Sequence, residues 1–278
     1  MLNDYYKKNP DQITLDKLAL RVFTPGAQLI ERVDLFDYYQ DVIETAARNC
    51  YKSEARLGIS RDMFLKRRIE TGHLSVFEHR VVTARLIMSR SASHQLVRHR
   101  IAAYSQESQR FCDYTKDVID IVEVDEGLKG LEKEFTLWCL RPPSVKTERQ
   151  IANWEMGVLV AYRSYLRLRA DGVPPEDARE NLPNATKTEI VTTFNLPMWR
   201  HVFTERALNP HAQWQIRGIF QILLTEFTRY MPVIFGDLYD RLAGEALKNP
   251  KFDAREHVKL YLHHDIVGTD WWKEEADA

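Results

Sequence analysis

Val81-Val82-Thr83-Ala84-Arg85-Leu86-Ile87-Met88 decides the fold class of this 278-residue chain. Val82, Ala84, Leu86 and Met88 alternate with Val81, Thr83, Arg85 and Ile87, and both sets are largely apolar. That pattern predicts a strand buried on both faces, or nearly so. Upstream, apolar residues recur at helical spacing over Val33–Cys50. A second helix is expected from Ser60, a good N-cap, to Gly72, which accepts a left-handed C-terminal position. Downstream, Ser91 to Arg100 reads as a short helix running into a polar loop. Val118–Val124 alternates Val and Ile with Asp and Glu and reads as a half-exposed strand. After Pro142-Pro143 the signals are helical. Thr147 caps a long helix with the stripe Ile151, Trp154, Val158, Ala161, Tyr165 and Leu168, ended by Gly172. Pro174-Pro175 opens a short helix to near Pro183, and further helices are expected over Pro197–Leu208, His211–Tyr230 and Val233–Leu247. The predicted class is α+β: early strands in a mixed sheet, with a largely helical second half. No linker-like stretch divides residues 1–278, so a single domain is expected.

The formal net charge of −1 argues against a non-specific nucleic-acid binder, which would carry an excess of Lys and Arg. No apolar run approaches the length of a bilayer span, and Met1–Pro10 lacks the apolar stretch of a signal peptide. A cytoplasmic protein with no membrane partner is expected. Cys50, Cys112 and Cys139 are scattered and form no CxxC pair, which suits a reducing compartment and offers no zinc site. Gly-x-Gly is absent, so neither a Rossmann fingerprint nor a phosphate-cradling loop is present, and any bound phosphate must be held by side chains.

The densest chemistry lies in Arg98-His99-Arg100-Ile101-Ala102-Ala103-Tyr104-Ser105-Gln106-Glu107-Ser108-Gln109-Arg110. Guanidinium forks fit phosphate bidentately, and Ser108 with exposed backbone N–H groups would complete an anion cradle. Neighbouring residues on a helix diverge, so Arg98 and Arg100 suit two anions, or one long ligand such as a dinucleotide, better than one phosphate. A solvated basic turn fits the same residues. So does a nucleic-acid module built on the arginines, although the balanced charge weighs against it.

Arg-His-Arg followed after seven residues by Ser resembles the signature of the flavin-dependent thymidylate synthases. Other segments agree in order: Gly72-His73, Ser75 and Phe77-Glu78-His79; Gly172-Val173-Pro174, Ala178-Arg179 and Leu182-Pro183; and Arg206 with His211-Ala212-Gln213-Trp214. The resemblance spans about Gly72 to Trp214. It implies that family's fold and the conversion of dUMP to dTMP, with FAD, methylene-tetrahydrofolate as one-carbon donor and NADPH as reductant. It further implies a homotetramer with shared active sites. By the same resemblance, Ser75, Arg98, His99, Arg100, Gln106, Asn195 and His201 contact FAD. Gln95, Arg98, Gln106, Glu107, Ser108, Gln109, Arg110, Arg179 and Arg206 hold dUMP, with Arg179 reaching in from a neighbouring subunit. Arg206 would be the catalytic group, favouring loss of the uracil N3 proton, and His73 would lie near the folate. The chain departs from the family pattern at Ser105-Gln106, where Asn-Glu is frequent, and at Leu196-Pro197, where Ala-Arg is common. It also carries one extra residue between Arg206 and His211.

Each site residue has a plainer alternative. His73 could be a capping histidine, Arg179 an ordinary exposed helical residue, and Arg206 a structural partner of Glu205 or a nearby helix. Another flavin or nucleotide enzyme, such as an NADPH oxidase, would also suit the arginine patch. No metal is expected: His94 and His99 do not share a helical face, and His263-His264-Asp265 is a run of adjacent residues that diverge. Cys139 lacks the Pro-Cys-His setting of a uracil-attacking thiolate.

Overall fold

The computed structural model describes residues 4–115 and 135–261. Among them the helices are α1 (Asp4–Lys8), α2 (Phe36–Tyr51), α3 (Arg61–Glu70), α4 (Arg90–Leu96), α5 (Glu148–Ala170), α6 (Pro175–Ala178), α7 (Leu196–Val202), α8 (Trp214–Tyr230) and α9 (Pro232–Lys248). The strands are β1 (Leu18–Val22), β2 (Gly26–Leu29), β3 (Val81–Ser89), β4 (Ala103–Gln106), β5 (Phe135–Cys139), β6 (Lys187–Asn195) and β7 (Lys259–Leu260). They fall into two compact units. The first holds Met1–Phe23, Ser89–Ser91 and Gln106–Thr188, and the second Thr24–Met88, Ala92–Ser105 and Glu189–Ala278. The strand expected at Val118–Val124 and the triplet His263-His264-Asp265 lie outside the described residues. No described helix is long and apolar enough to cross a membrane.

In the first unit, β1 and β5 pair in parallel, Leu18 opposite Phe135. Over them lies α5, started by the expected Thr147 as a capping box. Thr147 Oγ1 accepts from Gln150 N–H at 3.3 Å, and Gln150 Oε1 accepts from Thr147 N–H at 3.1 Å. The buried face of α5 is Val158, Tyr162, Tyr165, Leu166 and Ala170. Ile151, Trp154, Ala161 and Leu168, expected in its stripe, are only half-buried. Tyr162 joins the expected Tyr165 in the core, where both hydroxyls find partners: Tyr162 donates to the Tyr114 carbonyl at 2.7 Å and Tyr165 to Asp113 at 3.1 Å. These bonds hold the segment that follows the 106–110 run.

The second unit is built on a five-stranded mixed sheet in the order β4-β6-β3-β2-β7. β2 runs antiparallel to β3 and parallel to β7. The strand read from Val81–Met88 is β3. It buries Val82, Ala84 and Leu86 on one face, leaves Thr83 and Arg85 half-exposed, and is fully buried from Leu86 to Ser89. β6 is a second long strand, within the half of the chain expected to be helical. Its buried positions Thr188, Ile190, Thr192 and Phe194 alternate strictly. Helices α2, α3, α7, α8 and α9 carry the rest of this core. At its centre Trp199, fully buried, meets Phe194, Phe203 and Phe227 and donates its indole N–H to the Val82 carbonyl at 3.0 Å. Each such buried aromatic contributes about 1.5–3 kcal/mol. The indole bond also fixes α7 against β3, and the turn that follows α7 carries Arg206.

Candidate active site

α4 ends at Leu96, four residues short of the expected Arg100. Tyr104 holds the turn that follows. Its hydroxyl oxygen lies 2.7 Å from the His99 carbonyl and 2.9 Å from the Leu96 carbonyl, which also accepts the His99 N–H at 3.1 Å, so one phenolic proton is shared between two carbonyls of the turn. Ile101, at φ 66°, then turns the chain in the left-handed region. The triplet therefore leaves the helix. His99 is 8% exposed, whereas Arg98 and Arg100 are exposed.

Arg206 reaches the same place from a π turn, Phe203–Ala207, in which the Leu208 N–H donates to the Phe203 carbonyl. Such turns insert one residue into a helix and re-aim the side chains around it. Arg206 Nε donates to His99 Nε2 at 2.8 Å and its Nη2 to the Gln95 carbonyl at 3.2 Å. Guanidinium is always a donor, so His99 Nε2 is an acceptor and the ring proton sits on Nδ1. Burial, then the charge of Arg206, then His201 at 5.7 Å between ring centroids, pull the His99 pKa down to about 4. Around neutrality His99 is a neutral imidazole.

The consequence is electrostatic. Several arginines of this unit are neutralised, Arg48 by Glu44, Arg61 by Asp37 and Asp41, and Arg200 by Asp237, while Arg217 donates to the Pro210 and Ala212 carbonyls. Arg206 has no carboxylate within ion-pair range among the described residues. Its partners are a neutral ring and a carbonyl, so this half-buried guanidinium is not neutralised by a carboxylate. The plain pairing with Glu205 is not formed, whereas the tie to a nearby helix is, through the Gln95 carbonyl of α4.

Gln95, Arg98, His99, Arg100, His201 and Arg206 thus belong to one neighbourhood of the second unit, around α4 and the π turn. Asn195 ends β6 and caps α7, accepting from the Met198 N–H at 2.9 Å, so its side-chain oxygen is already engaged. Ser75 is exposed in the 3₁₀ turn Leu74–His79. His73 precedes that turn, and its Nδ1 lies 2.7 Å from the Tyr51 hydroxyl.

The remaining expected residues lie in the first unit. Gln106 donates to Thr188 Oγ1 at 3.2 Å. Glu107 pairs with Lys187 at 3.1 Å and accepts from the Tyr114 hydroxyl at 3.0 Å. Gln109 is buried and Ser108 half-buried. Arg110 donates to the Glu176 carboxylate at 2.8 Å, and Arg179 Nε to the Glu176 backbone carbonyl at 2.9 Å. Arg110 and Arg179, assigned by resemblance to one phosphate from two subunits, therefore converge on the same residue within one chain. A phosphate bound at Arg110 would have to compete with Glu176.

A cleft of ≈ 490 Å³ lined by Lys66, Glu70, Arg200, Asp237 and Asp240 contains none of these residues. No cluster of three or more His, Cys, Asp or Glu able to hold a metal occurs among the described residues. Cys139 is buried and desolvation pushes its thiol up, the opposite of nucleophile activation. Sequence reasoning gave no role to Tyr104, which shapes the His99 turn, although it stands inside the signature stretch.

The His99 geometry makes a pH prediction. An unfolded histidine titrates near 6.5 and the folded one near 4, so the unfolded chain binds the proton first. The stabilisation from neutral His99 is complete above pH 6.5 and is lost as pH falls toward about 4. An NMR titration should place the His99 midpoint well below 6 and show it rise in Arg206→Ala. A midpoint near 6.5 in the native chain would rule out the buried arrangement.

The model of the family described as thymidylate synthase complementing protein matches residues 33–233. The chain is 37% identical over 204 residues to a flavin-dependent thymidylate synthase of Geobacter sulfurreducens, covering 70% of this chain and 80% of the relative. It is 38% identical over 176 residues to one of Sulfurisphaera tokodaii, covering 63% and 60%. Among solved structures it is similar to thymidylate synthase X of Helicobacter pylori with FAD and dUMP. The TM-score is 0.59 at 19% identity, over 77% of this chain and 99% of that one. It is also similar to the UMP/dUMP methylase PolB of Streptomyces cacaoi, at TM-score 0.59 and 19% identity over 81% and 97%. At that identity the structural likeness shows a shared fold.

Proposed function

This chain belongs to the flavin-dependent thymidylate synthases, and on that premise we propose that it converts dUMP to dTMP with bound FAD, methylene-tetrahydrofolate and NADPH. The observation that carries the reading is the un-neutralised Arg206, held by neutral His99 beside the exposed Arg98 and Arg100. One half-buried cation suits a uracil ring that must become anionic, and two exposed guanidinium groups suit the phosphates of a dinucleotide. The donor set thus fits FAD, which a chain without Gly-x-Gly must hold by side chains.

The chemistry that FAD supplies when bound is hydride transfer, with NADPH as the source of reducing equivalents. The protein's own part is orientation and charge. Arg206 faces the uracil and stabilises its anion, which raises electron density at C5. Gln95 and Arg98 position the nucleotide near it, and Ser108, Gln109 and Arg110 receive its phosphate, with Gln106 and Glu107 alongside. Arg98, His99, Arg100, Ser75, Gln106, Asn195 and His201 make up the flavin side, and His73 the folate side. No thiol is needed for attack on uracil. The proposal includes a cytoplasmic enzyme acting as one functional domain. Rescue of a thymidine-requiring cell, together with a flavin absorbance spectrum of the purified chain, tests the reading. A colourless protein that stays so after FAD is added, and no rescue, would refute it.

The proposal extends to a homotetramer with shared sites. Chains carrying Arg179→Ala and Ser108→Ala, each impaired alone, should regain activity when mixed, through hybrid sites. Light scattering at assay concentration should show an assembly. A fully active monomer would contradict it, and absence of regained activity would place Arg179 in its own chain's site beside Arg110.

A further inference from the structure

Gln221 is fully buried in the middle of α8, where apolar residues surround it. Buried amides persist when every polar atom is partnered. Its Nε2 donates to the Ala207 carbonyl at 3.2 Å and to the Phe252 carbonyl at 3.1 Å, and its Oε1 accepts from the Ala254 N–H at 2.8 Å. Ala207 is the last residue of the π turn, adjacent to Arg206. Phe252 and Ala254 belong to residues 250–261, beyond residue 233 where the family match ends.

That C-terminal segment is seated in the second unit at several points. Phe252, Ala254, Val258 and Tyr261 are buried, and β7 adds to the sheet beside β2. The backbone passes so close to α8 that a Cβ on Gly218 would lie 2.6 Å from the Ala254 carbonyl oxygen. Arg255 donates to Thr225 on α8 at 3.2 Å, and the Tyr261 hydroxyl to the Thr24 carbonyl at 2.9 Å. The segment is therefore a fixed backing against which the Gln221 amide is locked.

A π turn ends with carbonyls that its own helix does not satisfy. Without a donor for Ala207, the extra residue of the turn can be absorbed by a shift toward ordinary helical register, which would rotate the Arg206 side chain away from His99. We propose that Gln221, braced by residues 250–261, is a positioning residue that fixes the π turn and so aims the Arg206 guanidinium. The inference rests on the catalytic reading of Arg206.

The test is a double-mutant cycle read as the rate of dTMP formation at saturating dUMP, on flavin-loaded wild type, Gln221→Met, Arg206→Ala and the double variant. Misaiming a reacting group by a fraction of an ångström to one ångström costs about ten- to a hundredfold in rate. Gln221→Met should lose about tenfold in kcat, with the KM for dUMP within about twofold of wild type. It should lose nothing further in the Arg206→Ala background. An equal loss in both backgrounds would make Gln221 merely structural, and no loss in the wild-type background would remove its role; either overturns the proposal. A wild-type rate in Arg206→Ala overturns the catalytic reading itself, an outcome distinct from the other two. If Gln221→Met does not fold, Gln221→Glu serves. Its carboxyl donates to Ala207 only when protonated, so its rate relative to wild type should fall as pH rises. A flat ratio would overturn the proposal.

Discussion

Arg206→Ala is expected to slow dTMP formation by about 10²–10³ at saturating dUMP, the usual cost of removing one aimed charge from a developing anion. The dUMP affinity should change far less, because the uracil becomes anionic only as the reaction proceeds and the guanidinium binds that state most strongly. Arg206→Lys should not restore the rate. The present geometry uses two directed donors, Nε toward His99 and Nη2 toward the Gln95 carbonyl, and the proposed function needs the remaining edge for the uracil ring. An ammonium has no planar fork to divide in this way. Arg110→Ala should behave differently and raise the KM for dUMP with a smaller effect on kcat, since a phosphate contact is present equally in ground and transition states. A structural Arg206 would instead lower the melting temperature and shed flavin. The rate must therefore be measured on a variant first shown to be folded and yellow.

The second large effect concerns stability. Arg48 and Glu44 form an ion pair at 2.9 Å with both side chains about as buried as the core, 4% and 2% exposed. Glu44 also accepts the Gly58 N–H at 3.0 Å, and Arg48 donates to Ser60 at 3.1 Å and lies 3.9 Å over the Phe64 ring. The pair thus joins α2, the 53–60 connection and α3. Arg48→Ala leaves a buried carboxylate without its partner and should cost about 3–5 kcal/mol. The double variant Glu44→Gln with Arg48→Met removes both charges and should recover most of that loss. Urea unfolding midpoints check both statements. A loss under about 1 kcal/mol in Arg48→Ala would show that the pair is not desolvated in solution.

How far the sequence foretold the structure depends on where polarity interrupts a period. β3 was legible because its apolar residues alternate openly, and α2, α5, α8 and α9 because their caps or stripes are intact; α3 ends as expected before the left-handed Gly72, but Ser60 makes no side-chain cap bond at its start and accepts instead from Arg48. β6 was not, because two of its four inward positions are Thr188 and Thr192, which disguise the apolar half of the alternation. The signature residues were legible as a set. That His99 turns inward while Arg98 and Arg100 face solvent was not, because it depends on the Tyr104 hydroxyl and the left-handed Ile101. The partner of Arg206 was equally hidden, since His99 stands 107 positions away in the chain. Gln221 carries no local signal: in an apolar helix one glutamine looks like an exposed position until its three partners are seen.

The most direct measurement of the central claim is product analysis after a single incubation. Purified, flavin-loaded protein is mixed with dUMP, methylene-tetrahydrofolate carrying an isotopic label in its one-carbon unit, and NADPH. Labelled dTMP should form in the wild type, depend on all three additions, and fall by about 10²–10³ in rate in Arg206→Ala. NADPH consumption without labelled dTMP would contradict the account and leave the chain an oxidase.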